Sequence, residues 1–446
     1  MWHAVGVSKL PPGPKLPPLV TTIWWLARPV GLMEFCRRRY GDAFSLMFTG
    51  FSSPMVLLSD PDAIRELYSS KEHTLPPGRT LSLLPIMGPN SLLLLEGDAH
   101  LERRKLMLPS FHGERLRGYE ARVREIAEAE VASWRPGQEF AMRERMLAIA
   151  LESILRVVFG VTDETRLARL RELLPALISR TSSLTLGLRV LLSQKLGRRN
   201  PLEGFAILRA EIDRLLLGEI ADRRASGERG EDVLSLLLDA RFEDGSAMDD
   251  RELRDHLLTL LFAGHETTAT GLAWTFELLL RNPRVLDRLL ESFADDDDTY
   301  VRAVISEALR LRPVVPLAGR QLASKLVADG LELDAGTDVT PAIWLTHTRA
   351  DVYPEPYEFR PERFLESAPS TYAWIPYGGG VRRCLGAAFA EQEMRIVLET
   401  VLSAVELVPA GRPERIARRN VTFVPAHGTR VAVTRRIGGS LAPAAA

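Results

Sequence analysis

Sulfur is scarce in this chain: its 446 residues include two cysteines, Cys36 and Cys384. That excludes a disulfide framework and suits a reducing cytoplasm. Net charge is scarce too. Basic side chains number 57 and acidic ones 58, and a formal charge of −1 leaves no electrostatic footprint for nucleic acid. No apolar run is long enough to span a bilayer, since Thr22 to Met33 is short and is broken by Arg28 and Pro29. Neither a secretory signal nor an internal repeat is evident. A Gly-x-Gly-x-x-Gly dinucleotide fingerprint is also missing, so an electron donor is not encoded here. What is present is a globular composition, 46% hydrophobic and 26% charged. The expectation is a water-soluble, cytoplasmic protein whose length permits one large domain.

Leu10 to Pro18, Leu-Pro-Pro-Gly-Pro-Lys-Leu-Pro-Pro, cannot be helical, and residues 1–18 read as an extended, Pro-rich strap. A helical segment follows to Tyr40 and carries Cys36 as a structural thiol. Ala43 to Phe48 and Met55 to Ser59 alternate like two strands of a hairpin, and Asp60-Pro61 opens another helix. Leu75 to Glu96 is apolar but interrupted by Pro76, Pro77, Gly78, Pro85, Gly88 and Pro89. Such a loop is costly to leave in water, so it either packs on the body or walls an apolar pocket. Arg79 within it is a candidate anchor for a substrate carboxylate, weighed against a plain surface position. In His100-Leu101-Glu102-Arg103-Arg104, His100 and Arg104 share a helix face at i and i+4. Glu114 to Leu238 is mostly amphipathic helix.

Asp249 to Asn282 reads as one long helix. Asp249 or Asp250 can cap it, Asn282-Pro283 ends it, and about 33 residues would span roughly 50 Å. Leu257, Leu258, Leu260, Leu261, Phe262 and Ala263 leave almost no polar face, so its middle is expected to be buried. Into that middle the sequence inserts Ala263-Gly264-His265-Glu266-Thr267-Thr268. A buried carboxyl beside two hydroxyls needs a reason, because leaving it unpaired is costly. A threonine hydroxyl can bond back to a carbonyl one turn earlier, and with Gly264 nearby that would open the helix into a groove. Beyond the acidic link Asp295 to Asp298, Glu307 and Arg310 face the same way at i and i+3. Val314 to Gly319 reads as an apolar strand ending at Arg320, and residues 326–347 as short strands. The tail 438–446 is expected to be disordered.

The most informative stretch is Pro376-Tyr377-Gly378-Gly379-Gly380-Val381-Arg382-Arg383-Cys384-Leu385-Gly386. Three glycines in a row allow tight backbone paths and close approaches. From Leu385 the pattern turns helical, which places Cys384 at a helix start, where free N–H groups stabilise a thiolate and make it a metal ligand.

This stretch resembles the haem-binding signature of the cytochrome P450 family, Phe-Gly-x-Gly-x-Arg-x-Cys-x-Gly, with Tyr377 in place of the phenylalanine. Ala263 to Thr268 looks like the family's oxygen-activation motif. Glu307-Ala308-Leu309-Arg310, followed by Pro361-Glu362-Arg363-Phe364, resembles the Glu-x-x-Arg and Arg that lock its proximal side, although each pair alone would be a commonplace surface contact. The resemblance runs from about Leu10 to Arg436. It implies a single, mainly α domain with a small β subdomain, the cytochrome P450 fold, spanning 1–446.

The resemblance also implies haem b, with Cys384 as the metal ligand and Ala263, Gly264, Tyr377, Gly378 and Gly386 against the cofactor. His100, Arg104, Arg320 and Arg382 would pair with its propionates. Glu266 and Thr267 would be catalytic, and Glu307, Arg310 and Arg363 structural. Leu92, Leu93, Phe262, Ala263, Thr267, Val314, Val315, Leu317, Thr422 and Phe423 would line the substrate pocket. The implied activity is a monooxygenase placing one oxygen atom of O2 into a C–H bond of a hydrophobic fatty acid, terpenoid or steroid. Electrons would come from a separate ferredoxin or flavodoxin-type donor with its reductase. Arg103, Lys105, Arg115, Arg382, Arg383 and Arg395 are candidates for its docking site, and the protein would be a monomer. The rival readings are a haem-thiolate peroxygenase or isomerase, and a non-enzymatic haem sensor.

Overall fold

The structure is a computed structural model and describes residues 10–69, 73–74, 84–181, 203–294, 298–328 and 330–437. Arg79, the remainder of 75–83, the acidic link 295–297 and the tail 438–446 lie outside the described residues. The chain divides into two compact units. The first comprises Met1–Arg79, Trp274–Ala387 and Arg412–Thr429; the second comprises Thr80–Ala273, Ala388–Gly411 and Arg430–Ala446.

In the first unit, proline opens each of two short helices, Pro18–Ala27 and Pro29–Tyr40, where its missing N–H costs nothing. A five-stranded sheet follows, with Ala43–Leu46 beside Met55–Leu58, then Asp338–Pro341, Arg320–Leu322 and His73–Thr74. Met55–Leu58 and Asp338–Pro341 run parallel, and the other neighbours are antiparallel. Met-Val-Leu-Leu is apolar at every position because the strand is buried on both faces. One apolar cluster sets Ile64, Leu67 and Tyr68 of helix Pro61–Ser69 against Val56, Leu58 and Val339. A second gathers Leu32, Met33, Cys36, Phe44, Leu57, Trp344 and Phe423. Burial there pushes the Cys36 thiol up to about 12, as befits an inert structural cysteine.

Two elements of this unit differ from the sequence expectation. Val314 to Gly319 forms no ladder: Pro313 and Pro316 have no N–H to donate, and regular strand begins only at Arg320. Leu317 makes a single bridge to Ala342. Ile343–His347, expected as strand, is a short helix whose end is tied by the Thr346 and Thr348 hydroxyls donating back to Ala342 O and Trp344 O.

The second unit is helical, with Gly97–Met107, Glu114–Ala132, Met142–Ser153, Glu164–Thr181 and Glu203–Ser226 along the chain. A π-helical turn, Ile154–Val158, extends the third of these. A three-stranded sheet of Glu139–Ala141, Arg430–Arg436 and Val405–Pro409 completes the unit. The long helix is Asp250–Leu280, 31 residues, or about 46 Å, and its residues up to Ala273 belong to this unit. Asp249 caps it by accepting the Glu252 amide at 2.7 Å. Among the described residues no helix is long and apolar enough to cross a membrane.

Candidate active site

In the first unit the Cys384 loop is built on Tyr68. A Cβ on Gly379 would come within 2.3 Å of the Tyr68 ring, so the loop lies flat on that phenol only because the residue is glycine. The Tyr377 ring meets Trp374 edge-on at 6.1 Å, and Trp374 meets Phe364 at 5.8 Å. The Cys384 amide donates to Tyr377 O at 2.9 Å, closing the loop and leaving the thiol exposed. Helix Ala387–Ala404 starts three residues beyond Cys384, slightly later than expected. Tyr377, Gly378, Arg382, Cys384 and Gly386 thus stand in one short arc.

Next to this loop Glu307, Arg310 and Arg363, expected to be structural, form a buried cluster. Glu307 and Arg310 are both inaccessible, and Arg310 Nε and Nη2 donate to the two Glu307 oxygens at 2.6 and 2.8 Å. Arg363 Nε donates to Glu307 Oε1 at 3.0 Å. The remaining Arg310 donors reach His347 O, Pro356 O and Glu358 O, so the charge is fully bonded. His347, which the sequence did not single out, links the cluster to the cysteine loop. Its Nδ1 faces Arg310 O at 3.2 Å and its Nε2 faces the Ile375 amide at 2.9 Å. A carbonyl can only accept and an amide only donate, which fixes the neutral Nδ1–H tautomer.

Arg320 is buried, and its Nη1 donates to Gly319 O at 2.9 Å. Its Nε has no hydrogen-bond partner, and no carboxylate pairs with it among the described residues. Burial pulls its guanidinium below the ordinary value, with only the Tyr68 phenol opposing. A buried cation in that condition is costly unless an anion reaches it. Phe423, expected in the pocket wall, is 1% exposed, its ring set against Trp25 and Trp344 and its amide donating to Val314 O at 2.7 Å. A side chain so enclosed faces no open pocket, so Phe423 is a core residue. Thr422 is buried as well, its hydroxyl donating to Arg419 O, while Val315 and Leu317 are half-buried.

In the second unit, the turn Ala263–Thr268 interrupts burial without interrupting the helix. Leu257, Leu258 and Leu261 are buried on one side of it, and Thr268 and Ala269 on the other, yet Ala263 is exposed and Phe262, Gly264, Glu266 and Thr267 are half-buried. The expected back-bond is present: Thr267 Oγ1 donates to Ala263 O at 2.6 Å. The helix nevertheless runs unbroken through it. Gly264 leaves room where a Cβ would meet Ile154 at 3.5 Å. Glu266 is held by a residue the sequence reading missed, Arg143, whose Nη2 donates to Oε1 at 2.7 Å. The available signal was its position, since Arg143 shares the buried face of Met142–Ser153 with Met146 and Ala150.

His100 is buried on helix Gly97–Met107, with Arg104 one turn on and half-buried. In the loop before it, Leu92 is buried and Leu93 exposed. That loop is fixed by polar atoms: Asp255 Oδ2 accepts the Asn90 amide at 3.0 Å, Thr259 donates to Ser91 Oγ at 2.7 Å, and Arg209 donates to Pro85 O at 2.9 Å. Three of the cations considered for a docking patch have internal partners instead. Arg103 pairs with Glu252, Lys105 with Glu243, and Arg395 with Glu120 and Glu399.

Residues 11–431 match the cytochrome P450 family. Cytochrome P450 135B1 of Mycobacterium tuberculosis is 42% identical over 439 residues, covering 95% of this chain and 91% of its own length. Cytochrome P450 138 of Mycobacterium bovis is 37% identical over 443 residues, covering 97% and 98%. Among solved structures, the retinoic acid-bound cyanobacterial CYP120A1 superposes with a TM-score of 0.82 at 24% identity, over 96% of this chain and 99% of that one. The cytochrome P450DA haem domain gives 0.81 at 23%, over 95% and 97%. With relatives above one-third identity along nearly its whole length, the chain belongs to the cytochrome P450 family and is a haem-iron monooxygenase.

Proposed function

We propose that the protein binds haem b through the Cys384 thiolate and hydroxylates a hydrophobic small molecule of the fatty acid, terpenoid or steroid class. His100, Arg104, Arg320 and Arg382 would pair with the propionates, and the reaction is RH + O2 + 2 e− + 2 H+ → ROH + H2O. The observation that carries the reading is the open turn at Ala263–Thr267 in an otherwise buried helix, with a hydroxyl and a carboxyl side by side. Two features support a haem in particular: the exposed thiol on its Gly-rich loop, and buried Arg320 with an unused Nε donor.

When bound, a thiolate-ligated haem supplies the electron-rich iron that favours O–O cleavage. The chain supplies position and protons. Because the Thr267 hydroxyl donates to Ala263 O, its lone pairs stay available to accept from water. Glu266, next in sequence, is the group able to gain and lose a proton beside it, and Arg143 holds its carboxyl in place. Phe262, Ala263 and Leu93 present apolar surface, which suits a lipophilic substrate. A separate ferredoxin or flavodoxin-type protein and its reductase would deliver the electrons to a monomeric, cytoplasmic enzyme.

The test is the absorption spectrum of the dithionite-reduced protein under carbon monoxide. A Soret band strongly red-shifted from that of a histidine-ligated haem, and lost in Cys384→Ala, is expected. Folded protein without haem would refute the reading, and an unshifted band would remove Cys384 as ligand.

A further inference from the structure

The first two helices present apolar surface to solvent in the reverse of the usual sense. In Pro18–Ala27 the one buried residue is Thr21, whereas Leu19, Val20 and Ile23 are 60, 44 and 57% exposed. They stand at i, i+1 and i+4, a single stripe. The stripe continues onto its neighbours. Trp24 meets Phe35 of Pro29–Tyr40 in a tilted ring contact at 5.2 Å, and Phe35 is 42% exposed. The Thr49 amide donates to Thr22 Oγ1 at 2.9 Å, which brings the hairpin turn and exposed Phe51 alongside. An apolar area of this extent on a soluble chain marks an interaction site.

We propose that this surface docks on an anionic phospholipid bilayer, lying in the interface without crossing it. Pro18–Ala27 contains no charged residue, and its outward threonine is already occupied, since Thr22 Oγ1 donates to Pro18 O and accepts from Thr49. The side chains of Leu19, Val20 and Ile23 therefore offer a protein partner no hydrogen bonds, whereas protein interfaces ordinarily make about one per 100–200 Å². An acyl layer requires none. Charge points the same way. Residues 10–54 contain Lys15, Arg28, Arg37, Arg38 and Arg39 against Glu34 and Asp42, in a chain of net charge −1. Glu34 pairs with Arg38 and Tyr357, and Asp42 with Ser59 and Arg349, so five cations against two acids leave this region with a net charge of +3. Arg39, exposed and one turn beyond Phe35, sets a cation at the border of the apolar stripe beside tryptophan. That is the pattern of an interfacial helix, with basic residues reaching lipid phosphates and aromatic rings at headgroup depth.

The experiment is co-sedimentation of purified holoprotein with sucrose-loaded vesicles, either pure phosphatidylcholine or containing about one-third phosphatidylglycerol. Binding is expected to the anionic vesicles, weakened by salt, with tryptophan emission quenched by brominated acyl chains. Leu19→Ser/Ile23→Ser, which changes only exposed positions, should lower the partition coefficient by at least about tenfold while the haem spectrum stays the same. Three results would overturn the proposal: no binding to either vesicle, binding indifferent to the double substitution, or a dimer in solution abolished by it. The last would assign the stripe to a second copy of the chain.

Discussion

Arg143 and Glu266 are 123 residues apart in sequence and 2.7 Å apart in the structure, with side chains 10 and 14% exposed. The same guanidinium donates from Nε to Thr270 Oγ1 at 3.3 Å, one turn along the helix. The guanidinium therefore bridges Glu266 and Thr270, and fixes the carboxyl next to Thr267 through its Nη2. Glu266→Gln keeps an acceptor for Arg143, so it should fold normally and slow turnover about a hundredfold, the scale of a lost acid–base step. Steady-state rates with a surrogate donor would measure this, and an unimpaired Gln variant would leave Glu266 a purely structural role. Arg143→Leu should instead cost about 3–5 kcal/mol of stability, because it strands the acid.

Arg320 separates a cofactor role from a folding role. In the protein without haem its buried charge is a burden, so Arg320→Leu apoprotein should unfold no earlier than wild type. Haem should leave the holoprotein variant about tenfold faster or more if a charge-assisted bond to a propionate is lost. Transfer of haem to apomyoglobin would report the rate. Equal rates would remove Arg320 from the propionate set.

Two buried titratable groups give stability opposite pH dependences. Burial, with Arg310 adding to it, pulls His347 from 6.5 down to about 3. Its contribution is complete above the unfolded value and declines as pH falls below about 6.5, by up to about 1.4 kcal/mol per pH unit. Burial pushes Glu393 from 4.5 up to about 7. Its contribution is complete below the unfolded value and is lost as pH rises through about 7. Glu393→Gln should therefore raise the urea midpoint near pH 8 by more than near pH 5. The same gain at both pH values would mean that ionisation of Glu393 is not the cause.

Gly88 is required twice over. Its φ is +87°, and a Cβ would fall 2.1 Å from Asp255 Oδ1. Gly88→Ala should displace the carboxylate that receives the Asn90 amide and cost about 1–3 kcal/mol. Hydrogen exchange at Asn90 should quicken in step, and unchanged protection there would contradict this account.

Motifs that act locally were legible in the sequence, and pairings across the chain were not. The glycine run before Cys384, the Thr267 back-bond, and Glu307 with Arg310 each depend on residues within about one turn, so spacing alone exposed them. The burial of this pair could not be read, because the carbonyls of His347, Pro356 and Glu358 that receive Arg310 come from 37–48 residues away. Arg143 and His347 were missed for the same reason: an arginine or histidine in a helix acquires meaning only from its partner. Strand content was overread between Val314 and Gly319, where the run is apolar throughout but prolines remove the ladder's donors.

The parallel pairing of Met55–Leu58 with Asp338–Pro341 also sets a timetable for biosynthesis. The second strand leaves the ribosome about 280 residues after the first, which at roughly 5–20 residues per second is a wait of about 14–56 s. Throughout it, Met-Val-Leu-Leu has one hairpin neighbour and one bare edge. Such a strand is the natural target for misassociation between nascent chains. Yield of this protein in a cell should therefore depend on chaperone occupancy of its first 79 residues more than on the stability of the finished fold.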